Sequence, residues 1–122
     1  MKVLSIEQIN KLKELGVDVK PKGMCLMYTS DSSDNYYLKY GESTCEDDVA
    51  AFSLHDIIEL LPKEIDGAYL SLELDYCSIE YYYIDYEERI SWKSIDFNIA
   101  GIIDAAYDML LWVIENGYLK TK

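Results

Sequence analysis

Apolar residues recur at three- and four-residue spacing in three segments of the chain, which predicts three amphipathic helices. In the first segment, Ile6, Ile9 and Leu12 share one helical face. Ser5 precedes this face and Gln8 follows three residues later, which is the capping-box pattern of a helix start. Gly16 offers a left-handed residue for the helix end.

The second and third helices follow the same rules at their ends. The segment "LHDIIELL" follows the capping residue Ser53 and stops at Pro62, which cannot continue a helix. The third helix is predicted to begin at the cap Asn98 and to end at Gly117. Its predicted apolar face consists of Ile99, Ile102, Ile103, Ala106, Leu110, Val113 and Ile114.

Between the helices, hydrophobic and polar residues alternate with the period of two that is typical of strands. The predicted strands are "MCLMYTS" and "YYLKY" around the turn "DSSDN", followed by "AYLSLELD", "CSIEYYYI" and "RISWKSI". Residues 43–52 are predicted to form a loop. The order α-β-β-α-β-β-β-α with short connections predicts one α+β domain over residues 1–122. We expect an antiparallel sheet of about five strands with helices packed on one face.

The alternation also assigns the side chains of the later strands to two faces. Facing the core, we expect Ala68, Leu70, Leu72, Leu74, Cys77, Ile79, Tyr81 and Tyr83. Facing outward, we expect Tyr69, Glu73, Asp75, Glu80 and Tyr82, with Glu88 completing one continuous surface. A sheet face rich in tyrosine and carboxylate is a suitable protein-binding surface, so these six residues are the predicted partner-binding site.

The charge of the chain narrows the choice of partner. The 122 residues include 23 acidic and 11 basic side chains, which gives a formal net charge of −12. In residues 64–119 the only bases are Arg89 and Lys93. This balance argues against direct nucleic-acid binding, which needs clustered lysine and arginine, and against anionic membranes. It favours a protein partner with a basic cleft.

The cysteines and the N-terminus indicate a cytoplasmic protein. Cys25, Cys45 and Cys77 are odd in number and irregularly spaced, which favours reduced and mostly buried thiols. The first ten residues contain no apolar signal region, and no apolar run is long enough to span a membrane.

Candidate catalytic chemistry is sparse. His55 is the only histidine and lies in the second predicted helix, where a surface position explains it more simply than catalysis. No Cys-x-x-Cys pair nucleates a zinc site, and "EDD" at residues 46–48 is typical of a solvated acidic loop. We therefore predict no catalytic residue, no metal and no cofactor.

Leu111 and Trp112 in the third helix lie to the side of, or opposite, its main apolar stripe. Other core elements often cover such residues. If they are uncovered, the pair forms a patch for a partner or for a homodimer, with Trp112 as the better anchor.

Two stretches, "FSLHDIIELLPKEI" at 52–65 and "AAYDMLLWVIENGYLK" at 105–120, flank a tyrosine-rich strand segment. Together they resemble small, acidic, uncharacterised proteins that are carried by phages and mobile elements of gut Bacteroidales. The resemblance covers the C-terminal two-thirds of the chain and implies a short accessory protein. It implies no activity and no site residues.

Three functional hypotheses follow. The first is a non-enzymatic protein that binds a partner through its acidic, tyrosine-rich surface, as a nucleic-acid-mimicking inhibitor or an immunity-type protein would. The second is a small enzyme or ligand-binding protein that uses a cysteine or His55, which requires a pocket around those side chains. The third is a homo-oligomeric structural component built on Leu111 and Trp112.

Overall fold

A computed structural model of the chain describes residues 2–30, 35–98 and 101–119. Its contacts divide the chain into two compact units, with the boundary between Ser53 and Leu54. The elements in chain order are α1 (Ile6–Glu14), β1 (Cys25–Ser30), β2 (Tyr36–Gly41), β3 (Val49–Ala50), α2 (Leu54–Leu60), β4 (Glu64–Ile65), β5 (Ala68–Glu73), β6 (Ser78–Asp85), β7 (Glu88–Asp96) and α3 (Ile102–Glu115). In the described part of the chain, no helix is both long and apolar enough to cross a membrane.

The α+β class and the antiparallel pairing are confirmed, but the strands form two sheets instead of one. The first unit holds a three-stranded sheet in the order β2-β1-β3, and the second a four-stranded sheet in the order β4-β5-β6-β7. Two short strands also raise the number of strands above the expected five. β3 falls in the predicted loop and pairs with β1, while β4 pairs with β5 through the tight turn at Asp66 and Gly67.

The first unit begins with the predicted capping box of α1. The Gln8 backbone N–H donates to Ser5 Oγ at 3.2 Å, and the Ser5 N–H donates to Gln8 Oε1 at 2.9 Å. The helix ends at Gly16, whose positive φ of 91° lets the Val17 N–H donate back to the Leu12 carbonyl. The buried apolar residues of this unit are Leu4, Ile9, Leu12, Val17, Val19, Met27, Val49, Ala51 and Phe52.

In the second unit, α3 packs against β6 and β7. Tyr81 in β6 is fully buried, its ring lies 6.2 Å from the Trp112 ring of α3, and its hydroxyl donates to the Pro62 carbonyl at 2.7 Å. We call the sheet side that carries Tyr81 the helix face, and the opposite side the outer face. The other buried apolar residues are Ile57, Leu61, Ile65, Ala68, Ile79, Ile103, Ala105, Ala106, Tyr107, Met109, Leu110 and Val113.

The start of α3 differs from the prediction. The helix begins at Ile102 with Gly101 as its N-cap, not at Asn98. The Asn98 N–H instead donates to Asp96 Oδ1 at 2.7 Å, which forms a local turn, and Gly101 has a φ of 89° that interrupts any earlier helix. Ile99, which was placed on the apolar face, lies outside the described residues, as does most of the "DSSDN" turn, residues 31–34.

The end of α3 is as predicted. Gly117 has a φ of 77°, and the Tyr118 N–H donates to the Val113 carbonyl at 2.9 Å. The strand alternation is confirmed for Ala68, Ile79 and Tyr81, which are all buried. It is wrong for four residues expected in the core: Leu72 and Tyr83 are paired within the sheet yet exposed, Leu74 is exposed beyond the end of β5, and Cys77 is half-buried in the turn before β6.

The loop after β2 is organised around a buried carboxylate rather than solvated. Asp48 is only 1 % exposed. Its Oδ2 accepts hydrogen bonds from Ser43 Oγ at 3.0 Å and from the backbone N–H groups of Thr44 and Cys45 at 3.1 and 3.2 Å. Burial alone would raise the pKa of Asp48, but hydrogen bonds from Thr29, Ser43 and the two N–H groups bring it below its ordinary value. The acidic run at 46–48 therefore contains an internal support for the loop.

Replacing Asp48 tests this support. We expect Asp48→Ala to lower the free energy of unfolding by about 1 to 3 kcal/mol, because it removes the acceptor that Ser43 Oγ and the Thr44 and Cys45 N–H groups share. Asp47→Ala removes a neighbouring exposed carboxylate and serves as the control. Chemical denaturation of the two variants measures the difference.

The pH dependence has a defined sign. Because the folded pKa of Asp48 lies below the ordinary 3.8, the stabilising contribution is complete well above 3.8 and is lost as pH falls from there through the folded pKa. The stability gap between the natural chain and Asp48→Asn should therefore shrink below about pH 4. A gap that persists unchanged at about pH 3 would contradict the assignment.

Candidate functional site

On the outer face of the four-stranded sheet, Arg89 gathers four of the predicted partner-binding residues. Its Nη2 donates to Glu80 Oε1 at 2.5 Å and also to Glu73 Oε1. Its guanidinium carbon lies 3.9 Å from the centre of the Tyr82 ring, and the Tyr69 ring lies 6.1 Å from that of Tyr82. Four predicted residues thus contact one another around a single cation, which the sequence alone did not reveal.

The charges in this cluster partly neutralise one another. Glu73 Oε1 accepts a hydrogen bond from Ser71 Oγ at 2.6 Å, and this bond together with Arg89 holds the pKa of Glu73 below its ordinary value. Glu80 is buried, with 8 % of its surface exposed. Because one guanidinium neutralises part of the charge of two carboxylates, this cluster offers little free negative charge to a partner.

The prediction of one continuous acidic face is therefore wrong in three of its members. Glu80 is buried rather than exposed. Asp75 lies in the turn between β5 and β6, at the opposite end of the sheet from the β6–β7 turn. Glu88 pairs with Asp85, two residues beyond Tyr83 on the strand, so alternation places it on the helix face. A β-bulge and two turns interrupt the period of two, so residues that this period assigns to one face lie in different places.

Trp112 belongs to an internal aromatic cluster and is not a free anchor. Its ring lies 5.4 Å from the Trp92 ring and 5.5 Å from the Tyr118 ring, and Lys93 Nζ lies 5.6 Å from its centre. Leu111 is half-buried. The aromatic contacts of Trp112 explain its place on the side of the helix without a partner.

The exposed negative charge of this unit concentrates at the turn between β6 and β7. We call residues Asp85–Glu88, "DYEE", the acidic hairpin end. All four residues are exposed, and Tyr86 is 94 % exposed. Asp85 and Glu88 are directly paired across the hairpin, which places like charges opposite each other. The like-charge pair costs stability, so the segment is poorly optimised for folding.

The backbone of the acidic hairpin end adds a further cost. Tyr86 and Glu87, the two turn residues, have φ values of 48° and 66°. Two-residue hairpin turns with positive φ at both positions strongly prefer Asn-Gly or Asp-Gly, since other residues are strained there. The β4–β5 turn of the same sheet has this preferred pair, Asp66 and Gly67. Backbone strain of this kind clusters at functional sites, so the acidic hairpin end is the candidate site.

Both turns lie at the same end of the sheet. Ala68 follows the Asp66–Gly67 turn directly, and the pairing of Tyr69 with Tyr82 brings Ala68 level with Tyr83, close to the acidic hairpin end. Asp66 thus adds a fourth exposed carboxylate to this end. The sequence signal that identifies this turn is "DG" between Ile65 and Ala68, which predicts a hairpin.

The residues of the enzyme hypothesis, His55 and the three cysteines, are exposed or half-buried. His55 is exposed on α2, where its Nε2 lies 3.8 Å from Glu59. Cys45 is exposed and Cys25 and Cys77 are half-buried, so the expectation of mostly buried thiols is wrong. Among the described residues, no group of three histidine, cysteine, aspartate or glutamate side chains is arranged to hold a metal ion.

A second exposed aromatic surface lies in the first unit. Tyr36, Leu38 and Tyr40 alternate along β2, the edge strand of the three-stranded sheet, and all three are exposed. Lys39 lies between them, and a lysine on an edge strand discourages uncontrolled pairing with other strands. The tyrosine-rich character of the chain is therefore not confined to the later strands.

No family model, curated protein or solved structure matches this chain. The functional assignment consequently depends on the geometry of the chain's own residues. Of the surfaces described, the acidic hairpin end combines exposure, charge and backbone strain.

The Arg89 cluster makes a testable prediction about stability. Arg89→Gln should lower the melting temperature by several degrees, because it leaves the buried Glu80 carboxylate without its counter-charge. Lys22→Gln removes the same charge from an exposed ion pair with Asp18 and should change it little. Adding Glu80→Gln to the Arg89 variant should restore part of the loss. Equal melting temperatures for the two single variants would refute this role of Arg89.

The backbone strain at the acidic hairpin end also predicts a change in stability. The double variant Tyr86→Asn, Glu87→Gly should raise the free energy of unfolding by about 1 to 2 kcal/mol, since it relieves two left-handed residues. Gly67→Ala at the other turn should lower it by about 1 kcal/mol, because the φ of 87° is strained for alanine although space is open around it. Urea denaturation of both variants checks the opposite signs.

Proposed function

We propose that this chain is a non-enzymatic binding protein whose acidic hairpin end binds a basic site on a protein partner. The observation that carries the proposal is the concentration of exposed carboxylates and the exposed Tyr86 on a turn with two strained residues. A fold under selection for stability alone would replace Tyr86 and Glu87 with a turn such as Asp66–Gly67. The presence of Tyr86 and Glu87 is consistent with a loss of folding stability that binding to a partner offsets.

The charge of the whole segment supports the same conclusion. Residues 64–119 contain 12 acidic residues and only two basic ones. Both bases already lie over aromatic rings, Arg89 over Tyr82 and Lys93 over Trp112. Such a field accelerates association with a positively charged partner and makes the rate and affinity sensitive to salt.

The basic site is most simply a cleft that otherwise takes nucleic acid. Rows of carboxylates on a rigid hairpin present charge to lysine and arginine as phosphates do, while Tyr86 adds an amphipathic ring of the kind enriched at binding hot spots. In this role the chain is an inhibitor or an immunity-type protein, of phage or mobile-element origin. Three cysteines without disulfides support a cytoplasmic location.

A defined basic probe tests the proposal. We compare the binding of a fluorescent arginine-rich peptide to the natural chain and to two triple variants with the same change in net charge. The first, Asp85→Asn, Glu87→Gln, Glu88→Gln, neutralises the acidic hairpin end. The second neutralises three exposed acids on the helices and is the control: Glu59→Gln, Asp108→Asn and Glu115→Gln.

We expect the first variant to weaken binding at low salt at least tenfold, and the control to weaken it about twofold, because close charges act more strongly than distant, screened ones. Affinity for the natural chain should fall steeply between low and high salt. Equal losses in the two triple variants would show that only net charge matters, and an affinity independent of salt would exclude charge-driven binding. Either result would overturn the proposal.

A further inference from the structure

A cleft opens on the helix face beside the acidic hairpin end. It has a volume of about 330 Å³ and is lined by Asp66, Ala68, Tyr83 and Trp92. This volume is within the range of small-ligand sites. The two aromatic residues are partly open to solvent, Tyr83 at 39 % and Trp92 at 40 %. A small, open and partly aromatic surface that includes Asp66 is therefore available to a ligand.

The walls of the cleft are held in place by the protein itself. The pairing of β6 with β7 shifts between Tyr81 and Tyr82, and the extra residue on β7 is Trp92. Its ring is nearly perpendicular to its neighbours, at 79° to Trp112 and 71° to Tyr118. Such edge-to-face contacts fix the orientation of an indole, so the wall does not have to be ordered when a ligand arrives.

Ala68 and the Asp66–Gly67 turn shape the cleft. Ala68, buried at the start of β5, contributes only a methyl group where the other lining positions carry larger side chains. The Asp66–Gly67 turn places Asp66 in the lining of the cleft through a favoured backbone conformation. Ala68 thus provides space, the bulge at Trp92 provides a ring, and the Asp66–Gly67 turn provides a charged residue.

The chemistry of the lining selects a cation. Electron-rich ring faces attract ammonium and guanidinium groups, and a carboxylate at the rim strengthens that attraction. Asp85 and Glu88 lie on the same sheet face as Tyr83 and add negative charge near the opening. No base is among the four lining residues, so an anionic ligand gains nothing there.

We propose that this cleft binds an organic cation of the ammonium or guanidinium class, with Tyr83 and Trp92 as ring walls and Asp66 as the counter-charge. The neighbouring surfaces of this sheet already hold cations in the same way, with Arg89 over Tyr82 and Lys93 close to Trp112. If the cation is a lysine or arginine side chain of a basic partner, the inference rests on the proposed function and names its anchor. A free quaternary ammonium compound would make the same contacts.

Nuclear magnetic resonance titration tests the site, because the indole N–H signal of Trp92, a lining residue, reports on the cleft directly and that of Trp112 reports on the ring next to it. The probes are choline, N-acetylarginine amide, and 3,3-dimethylbutanol, which has the shape of choline without its charge. The test variant is Asp66→Asn, which keeps a favoured Asn-Gly turn while removing the carboxylate charge. The control is Asp108→Asn, which removes an exposed carboxylate from α3.

We expect choline or the arginine amide to shift the Trp92 signal with saturation, and the neutral alcohol to leave it unchanged. Asp66→Asn should weaken binding about threefold to tenfold, and Asp108→Asn less than twofold. Tyr83→Leu, with its fold checked by thermal unfolding, should also weaken it. Stronger binding of the arginine amide would identify a side-chain ligand, and stronger binding of choline a free quaternary ammonium.

Two results would overturn the cleft assignment: equal binding of choline and dimethylbutanol, or equal effects of Asp66→Asn and Asp108→Asn. These outcomes are separate from those of the peptide experiment. If the triple variant of the acidic hairpin end binds the arginine-rich peptide normally while Asp66→Asn loses choline, the proposed function fails and the cleft stands. The reverse pattern removes the cleft and leaves the hairpin surface.

Discussion

The four-stranded sheet depends on Arg89, which neutralises negative charge on Glu73 and Glu80. Glu73 and Glu80 lie on adjacent strands, and without a cation two carboxylates at this distance would repel each other in a poorly solvated setting. Arg89 reaches both with one nitrogen and rests on the Tyr82 ring. A planar guanidinium suits this position better than a lysine, since it can donate in its plane and stack with its face.

This neutralisation decides where the free charge remains. The middle of the outer face is internally satisfied, whereas the acidic hairpin end forms no ion pair with the described residues: its strand neighbour Arg89 is directed toward Glu73 and Glu80. The same residue therefore makes one acidic region structural and leaves the adjacent one available. Charge counted along the sequence does not distinguish these two regions, but hydrogen bonding does.

Local signals in the sequence predicted the elements well. Ser5 and Gln8 identify the start of α1, and Gly16 and Gly117 identify two helix ends, because each depends on residues a few positions apart. β3 and β4 were missed because two-residue strands have no measurable period. The division into two sheets was missed because partner choice among strands is a long-range property.

The site was harder to predict for a related reason. Alternation placed Tyr69, Glu73 and Tyr82 on the correct face, yet it failed at Glu88, which lies beyond a hairpin turn, and it did not foresee the burial of Glu80. The bulge at Trp92 shifts one residue on β7, and no pattern of hydrophobic residues marks its position. The strained turn, by contrast, can be read from the sequence once a hairpin is assigned, since Tyr86-Glu87 is an unfavourable pair for such a turn.

The abundance of tyrosine and tryptophan in this sheet has a common physical explanation in its charge. A strongly acidic surface attracts cations, but carboxylates hold them through water and exchange them readily at physiological salt. An aromatic ring beside a carboxylate removes part of that water and provides a face that stays attractive when salt screens the charge. The pairs Arg89–Tyr82 and Lys93–Trp112 apply this combination within the chain. Tyr83 and Trp92 beside Asp66 present the same combination with its ring surface partly exposed, which is the property expected of a site for a cation from outside.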